Sequence, residues 1–574
     1  MMEPLFTLDE PQAPAVGRHS SQKANGIHYT PTELAAFVAR RALSELDGGE
    51  LVVLDPACGD GELLLALAVE AAALGLPRPH LVGVDTDAEA IRVAADRLGD
   101  APAASVVLRT GDFLAMGSDE AGELPDSYDL VISNPPYVRT QVLGAARAQA
   151  LGKQFGLTGR VDLYHAFVAG MTAKLSEGGV LGLLCSNRFV TTKGGQSLRA
   201  LLLRHYDIGE LWDLGDTKLF EAAVLPAVVV ARRTAMPSSR TGSFVRVYED
   251  EAANGEVTAE DSLLAALESD AEGLVEVAGR QFEVERGELV EPSSERPWRL
   301  TSARGARWME VVQKRSAGRF GDLGPIRVGI KTTADSVFIK ATWDDLPADI
   351  RPESELVHPL LTHRLAARWR AEESAKGARF VLYPHEMRNG RKQAVDLARF
   401  PRAARYLELH RERLEGREYV RKAGRSWYEI WVPQQPDAWA HPKLVWPDIS
   451  DRPKFFLDES GAIVNGDCYW LSCKGLAEDE AALALAVANS SFALRYYDLC
   501  CGNRLYAGRR RFITQYLEEL PVPEAPSAAL REVADMVSQL RDPASQDPET
   551  RSATEASLDA VVSELFGLRE EVAR

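Results

Sequence analysis

From residue 51 to residue 233, short apolar runs alternate with longer segments whose apolar positions recur every three or four residues. The runs at 51–55, 81–85, 106–108, 130–133, 180–185, 209–212 and 227–231 read as strands. Segments 62–74, 87–98, 163–175 and 196–205 read as amphipathic helices between them. Strand–helix alternation at this spacing predicts an α/β fold: a parallel, Rossmann-like sheet with helices on both faces. Ligands bind such sheets at the carboxyl ends of the strands, and the conspicuous polar residues of this segment fall there.

The pattern changes twice further on. Residues 241–297 are rich in Ser, Gly, Ala and acids and read as an acidic connector, although 244–248 and 282–284 alternate like strands. Beyond Trp298, tryptophan, tyrosine and arginine become dense and helical periodicity is patchy, which predicts a second, mixed α+β domain over 298–525. Residues 526–574 repeat apolar positions at helical spacing and read as a helical tail. The organisation expected is thus a flexible polar leader (1–25), an α/β domain (26–240), the connector, the second domain and the tail. No stretch approaches the roughly 18 apolar residues of a membrane helix, and the leader has no apolar signal core. A cytoplasmic chain is expected.

Composition sharpens this in one respect. The net charge of −18 argues against a protein that coats nucleic acid indiscriminately, because phosphate binding rests on Lys and Arg. A local field can still be cationic. Residues 499–517 hold no acid at all and carry Arg504, Arg509, Arg510 and Arg511, a candidate DNA contact. The Arg- and Tyr-rich run 402–425 reads equally as DNA contact or as a solvated helix face with Glu–Arg pairs. The six cysteines form neither a disulfide framework nor a zinc-ligand pattern, so no metal is expected.

Four motifs carry chemistry. Asp55-Pro56-Ala57-Cys58-Gly59-Asp60-Gly61-Glu62 lies between a strand and a helix, where glycine permits a tight turn and close approach of a ligand. A carboxylate in that loop suits a ligand bearing an amino group better than a pyrophosphate. Asp85 ends the next strand, where an acid can accept both hydroxyls of a ribose. Asp112-Phe113 follows the third, offering a carboxylate and a ring to an adenine. The fourth, Asn134-Pro135-Pro136-Tyr137, directly follows the strand ending at Ser133. An amino nitrogen on an aromatic ring is a poor nucleophile because its lone pair is delocalised. The Asn134 side-chain oxygen and the Pro135 carbonyl can each accept one of its hydrogens and favour a pyramidal nitrogen. Pro136 fixes the loop without adding a donor, and Tyr137 offers a stacking face.

With these motifs in order, residues 28–233 resemble the gamma-class N6-adenine DNA methyltransferases of the TaqI type. The resemblance implies a class I methyltransferase fold and S-adenosylmethionine bound by Tyr29, Thr30, Pro31, Asp55, Ala57, Cys58, Gly59, Gly61, Asp85, Asp112 and Phe113. It implies catalysis by Asn134, Pro135, Pro136 and Tyr137 on an adenine flipped out of duplex DNA. Residues 162–167 resemble the block that shapes the pocket. Phe220 falls where the family places a ring on the adenine's other face, a core phenylalanine being the rival reading. Blocks 328–338, 443–451 and 511–521 resemble the family's C-terminal specificity region. A monomer acting on double-stranded DNA, with a separately encoded restriction endonuclease as partner, is what the family implies. Because the motifs begin at Tyr29, no N-terminal nuclease is expected. Three alternatives stay open: a protein glutamine methyltransferase, which shares the Asn-Pro-Pro-Tyr loop, a cytosine-N4 DNA methyltransferase, and a DNA-binding subunit of another phage-defence system.

Overall fold

The computed structural model describes residues 30–46, 48–115, 124–138, 140–159, 161–219, 225–237, 242–249, 257–269, 272–290, 292–372, 377–501, 505, 508–543 and 547–568. The chain divides into two units, Met1–Leu300 and Thr301–Arg574. Among the described residues, no helix is long and apolar enough to cross a membrane.

The alternating pattern of the first unit becomes α1 (Thr32–Leu43), β1 (Val52–Asp55), α2 (Glu62–Ala73), β2 (His80–Asp85), α3 (Ala88–Leu98), β3 (Ser105–Thr110) and β4 (Tyr128–Ser133). It continues as α4 (Leu163–Lys174), β5 (Leu175–Ser186), α5 (Gln196–His205), β6 (Tyr206–Asp213) and β7 (Pro226–Arg233). Side chains of a strand point alternately to opposite faces, and both faces are apolar here. Val53, Leu130 and Ile132 join α1 and α2 in one core, while Leu54 and Val131 join α4 and α5 in another. The double burial explains why these strands are nearly continuous apolar runs.

β1 to β5 are mutually parallel, in the order β3-β2-β1-β4-β5. The all-parallel expectation fails at β7, which runs antiparallel to both β5 and β6. No crossover helix separates β6 from β7 among the described residues, and a direct return gives an antiparallel neighbour. The segment expected as a connector also differs. Ser243–Glu249 (β8), Val257–Ala259 (β9), Gly273–Val277 (β10) and Arg280–Val290 (β11) extend the same sheet as β6-β8-β11-β10-β9. The alternating residues noted in sequence pair directly, Val284 with Val247 and Phe282 with Glu249. Phe244, Val247, Tyr248, Phe282 and Val284 are buried, and the acids Glu249 and Glu285 pair with Arg280 and Arg246.

The second unit has two cores and small sheets. One four-stranded sheet joins Ile326–Val328, Cys468–Ser472, Lys443–Pro447 and Phe456–Asp458. The residues expected as a tail form helices Ser527–Arg541 and Pro548–Leu565, whose Val533, Val537, Leu558 and Val562 are buried in the unit's core beside Trp308 and Trp446. Phe566 stacks on Phe492 with ring centroids 3.8 Å apart. Helical periodicity signalled this burial, and the charged residues between hid it.

Candidate active site

The carboxyl ends of β1, β2, β3 and β4 converge on a cavity of about 450 Å³. Its walls include Thr30, Asp55, Ala57, Cys58, Gly59, Asp85, Asp112, Phe113 and the whole Asn134–Tyr137 loop. Motifs far apart along the chain are thereby brought to one place. Of the other expected site residues, Pro31 is the N-cap of α1 and Gly61 that of α2. Tyr29, Phe220 and Arg504 lie outside the described residues.

Each wall is held by its own chemistry. Gly61 has φ 81°, a left-handed conformation that glycine adopts freely and that turns the β1 loop into α2. The buried Asp55 carboxylate accepts from Ala57 N–H (3.1 Å) and from Ser133 Oγ (2.9 Å). Burial pushes its pKa up to about 7 against those two hydrogen bonds. Asp55 therefore fastens the cofactor loop to the residue preceding Asn134, a tie that sequence reading missed because Ser133 looks like an ordinary strand end. Asp85 uses one oxygen for Gly59 N–H and the other for Asp87 N–H, both at 2.9 Å. A carboxylate oxygen has two lone pairs, so this half-buried group keeps acceptor capacity toward the cavity.

Asp112 accepts from Leu114 N–H and faces Arg147 at 3.7 Å. Phe113 stacks on Phe167, with centroids 5.9 Å apart. Gly170, one turn along α4, makes room for that ring: a Cβ there would lie 2.8 Å from Phe113 Cε1. Nothing in the sequence marked Gly170, which reads as a small residue on a helix.

The Asn134 amide is oriented at both ends. Nδ2 donates to Thr30 Oγ1 at 3.1 Å, and Oδ1 accepts from the Tyr137 hydroxyl at 2.5 Å. Burial pushes the Tyr137 hydroxyl well above its usual range, so it remains a donor. On the far side of the loop, Asp162 accepts from the backbone and hydroxyl of Thr140 (2.8 and 3.0 Å). Tyr164 meets Tyr137 edge-on at 6.3 Å. Burial, with the nearby Asp55 and Asp85, drives the Cys58 thiol upward, away from the thiolate a nucleophile would need.

The cavity suits a nucleoside bearing an amino-acid tail: carboxylate acceptors at Asp85 and Asp112, an aromatic wall at Phe113, and glycines where the backbone must come close. The fold and this site define a class I methyltransferase, a class that uses S-adenosylmethionine. Family models match in three places: the Eco57I restriction-modification methylase over residues 112–220, a methyltransferase domain over 47–161, and the TaqI-like C-terminal specificity domain over 392–522. Over 541 residues the chain is 41% identical to the type II methyltransferase M.BanIII of Aneurinibacillus aneurinilyticus, covering 90% of this chain and 93% of that protein. It is 26% identical to the type II methyltransferase M.PaeR7I of Pseudomonas aeruginosa, covering 91% and 90%. Among solved structures, the type IIL restriction–modification enzyme MmeI in complex with DNA superposes with a TM-score of 0.60 at 14% identity, covering 94% of this chain and 73% of that one. The chain belongs to the type II DNA methyltransferases of restriction–modification systems, with a TaqI-like specificity domain.

The arginine run looks different in three dimensions. Arg510 is buried and paired with Asp498 at 2.7 Å, and Arg511 is paired with Asp448. The compensating acids lie outside the cluster of arginines, so it looked uncompensated along the sequence; Arg509 alone of the three is exposed. The 402–425 run is largely spoken for as well. Arg402 faces Glu353, Arg411 bridges Glu408 and Glu415, and buried Arg417 donates to the carbonyls of Leu414, Thr332 and Trp427.

Proposed function

We propose that this methyltransferase transfers a methyl group to the N6 amino group of adenine in a specific duplex sequence, protecting DNA from a separately encoded restriction endonuclease. The observation that carries the reading is the Asn134 amide at the end of β4, oriented by Thr30 and Tyr137 on the wall of the cavity. Its Oδ1, fixed by the Tyr137 hydroxyl, and the Pro135 carbonyl are the acceptors for the two hydrogens of the amino group. These fixed acceptors favour the charge that builds on nitrogen as the bond to carbon forms, without reorganising in the step. Asp85 would hold the ribose of S-adenosylmethionine, and Asp112 with Phe113 its adenine. Bound there, S-adenosylmethionine supplies an electrophilic methyl group on sulfur.

Asparagine at the head of the loop supports adenine over cytosine N4, for which Ser-Pro-Pro-Tyr is the more usual loop. A release factor glutamine methyltransferase of Caulobacter vibrioides is 40% identical over 111 residues, but these cover only 19% of this chain. The whole second unit, where the specificity-domain match falls, has no place in that reading. Sequencing base modification in cells that express only this chain tests the proposal. N6-methyladenine at one recurrent sequence is expected; unmodified DNA, or N4-methylcytosine, would overturn it.

A further inference from the structure

The second unit carries a two-stranded hairpin, His385–Arg388 paired with Arg391–Ala394, that pairs with no other strand among the described residues. Asn389 (φ 52°) and Gly390 (φ 71°) make the two-residue turn, the left-handed pair that the twist of a tight hairpin favours. The tip is exposed from Arg388 through Lys392, and a Cβ at Gly390 would meet nothing within 4 Å. Arg388 lies directly opposite Arg391, with Lys392 next to it. Like charges facing each other across a strand pair are destabilising, so an isolated hairpin gains nothing from this sequence.

The nearby acids offset the tip only in part: Glu386 is paired with Arg399 at 2.9 Å while also feeling Arg388, and Glu429, which accepts the Ser426 N–H at 2.7 Å, acts on Lys392. More cations stand behind: partial burial and the proximity of Arg425 and Arg327 lower the Lys392 pKa, against the opposing pull of Glu429. The base of the ribbon is fixed. Buried His385 accepts the Ile430 N–H on Nε2 (3.0 Å), and the Tyr428 hydroxyl donates to the carbonyl of buried Val395 (2.8 Å). Arg425 lies over the Trp431 ring at 5.0 Å, adding an aromatic surface beside the cations.

We infer that the Arg388–Lys392 hairpin tip is a DNA-contacting element that enters a groove of the duplex. The inference rests on the proposed action on duplex DNA and names a contact apart from Arg510 and Arg511, which are paired with Asp498 and Asp448. A major groove admits a two-stranded ribbon, and arginine forks match either phosphate oxygens or a guanine edge. The rigid base and short turn limit the entropy lost on docking. In the sequence the Asn389-Gly390 pair marks the turn, but the cations behind it, Arg327 and Arg425, come from distant segments.

The test uses the full chain with Arg388→Ala and Arg391→Ala together, both exposed positions outside the cavity. Affinity for a mixed-sequence DNA duplex is measured over a salt series, and S-adenosylmethionine affinity by calorimetry on the same preparations. Expected are unchanged cofactor affinity, DNA binding weaker by about ten- to a hundredfold, and a log–log salt slope smaller in magnitude by about 0.9 for each phosphate no longer neutralised. The Arg→Lys pair should regain the salt slope. Duplex affinity and slope equal to those of the unsubstituted protein would overturn the inference, as would binding to an RNA hairpin that exceeds duplex binding and disappears in the Ala variant. Failure of the unsubstituted protein to methylate any DNA would strike the proposed function instead, leaving the binding comparison readable.

Discussion

Asn134 joins two parts of the site, receiving the Tyr137 hydroxyl and donating to Thr30 ahead of α1. On the proposed mechanism, Asn134→Ala removes an acceptor directed at the reacting nitrogen. Methyl transfer should fall by about 10²–10³-fold while calorimetry shows S-adenosylmethionine binding retained. Asp85→Ala should do the reverse, weakening cofactor affinity by about ten- to a hundredfold with a smaller effect on kcat, because ribose contacts serve ground and transition states alike. An unchanged affinity would mean that Asp85 only holds Gly59 and Asp87. Asp55 gives a pH signature. Its folded pKa, raised to about 7, exceeds its unfolded value, so the stability it contributes is fully present below about pH 4 and lost as pH rises through about 7. Relative to Asp55→Asn, the unsubstituted protein should therefore lose thermal stability between those limits, by up to about 4 kcal/mol; a pH-independent difference would contradict the burial argument. The motif residues were legible because strand ends announce themselves by hydrophobicity. Their partners Ser133 and Gly170 were not, since a contact across the fold leaves no mark at its own position.

Among the elements, the sequence predicted the strands that are buried on both faces and missed what depends on pairing. The direction of β7 and the union of β8–β11 with the main sheet are decided by neighbours far along the chain. Acidic composition concealed β8 and β11, although their inward residues alternate correctly. α4 offers a direct check of an element acting on the site. Gly170→Ala would press a methyl group against Phe113, tilting the ring off Phe167; cofactor binding should weaken with the melting temperature changed little. The arginine run makes the opposite case. Arg510→Ala removes the buried guanidinium that makes two hydrogen bonds to Asp498, which should destabilise the second unit by about 1–3 kcal/mol. A stable Arg510→Ala protein with weakened DNA binding would restore the reading of the run as a DNA contact.

For the whole molecule, the boundary between units decides what a fragment can do. A chain ending near residue 235 looks complete from the seven predicted strands, yet it would strip β8 from β6 and leave a long unpaired edge. A fragment ending at Leu300 keeps β1 to β11. It should bind S-adenosylmethionine, whereas the shorter one should aggregate, as light scattering during purification would reveal. Whether the Asn134 loop methylates adenine N6 is decided by the atom that receives the methyl group. Purified full-length protein is incubated with duplex DNA and methyl-labelled S-adenosylmethionine, and the DNA is digested to nucleosides. The label is predicted in N6-methyldeoxyadenosine and nearly absent with Asn134→Ala; label in N4-methyldeoxycytidine, or equal label from the Asn134→Ala protein, would contradict it.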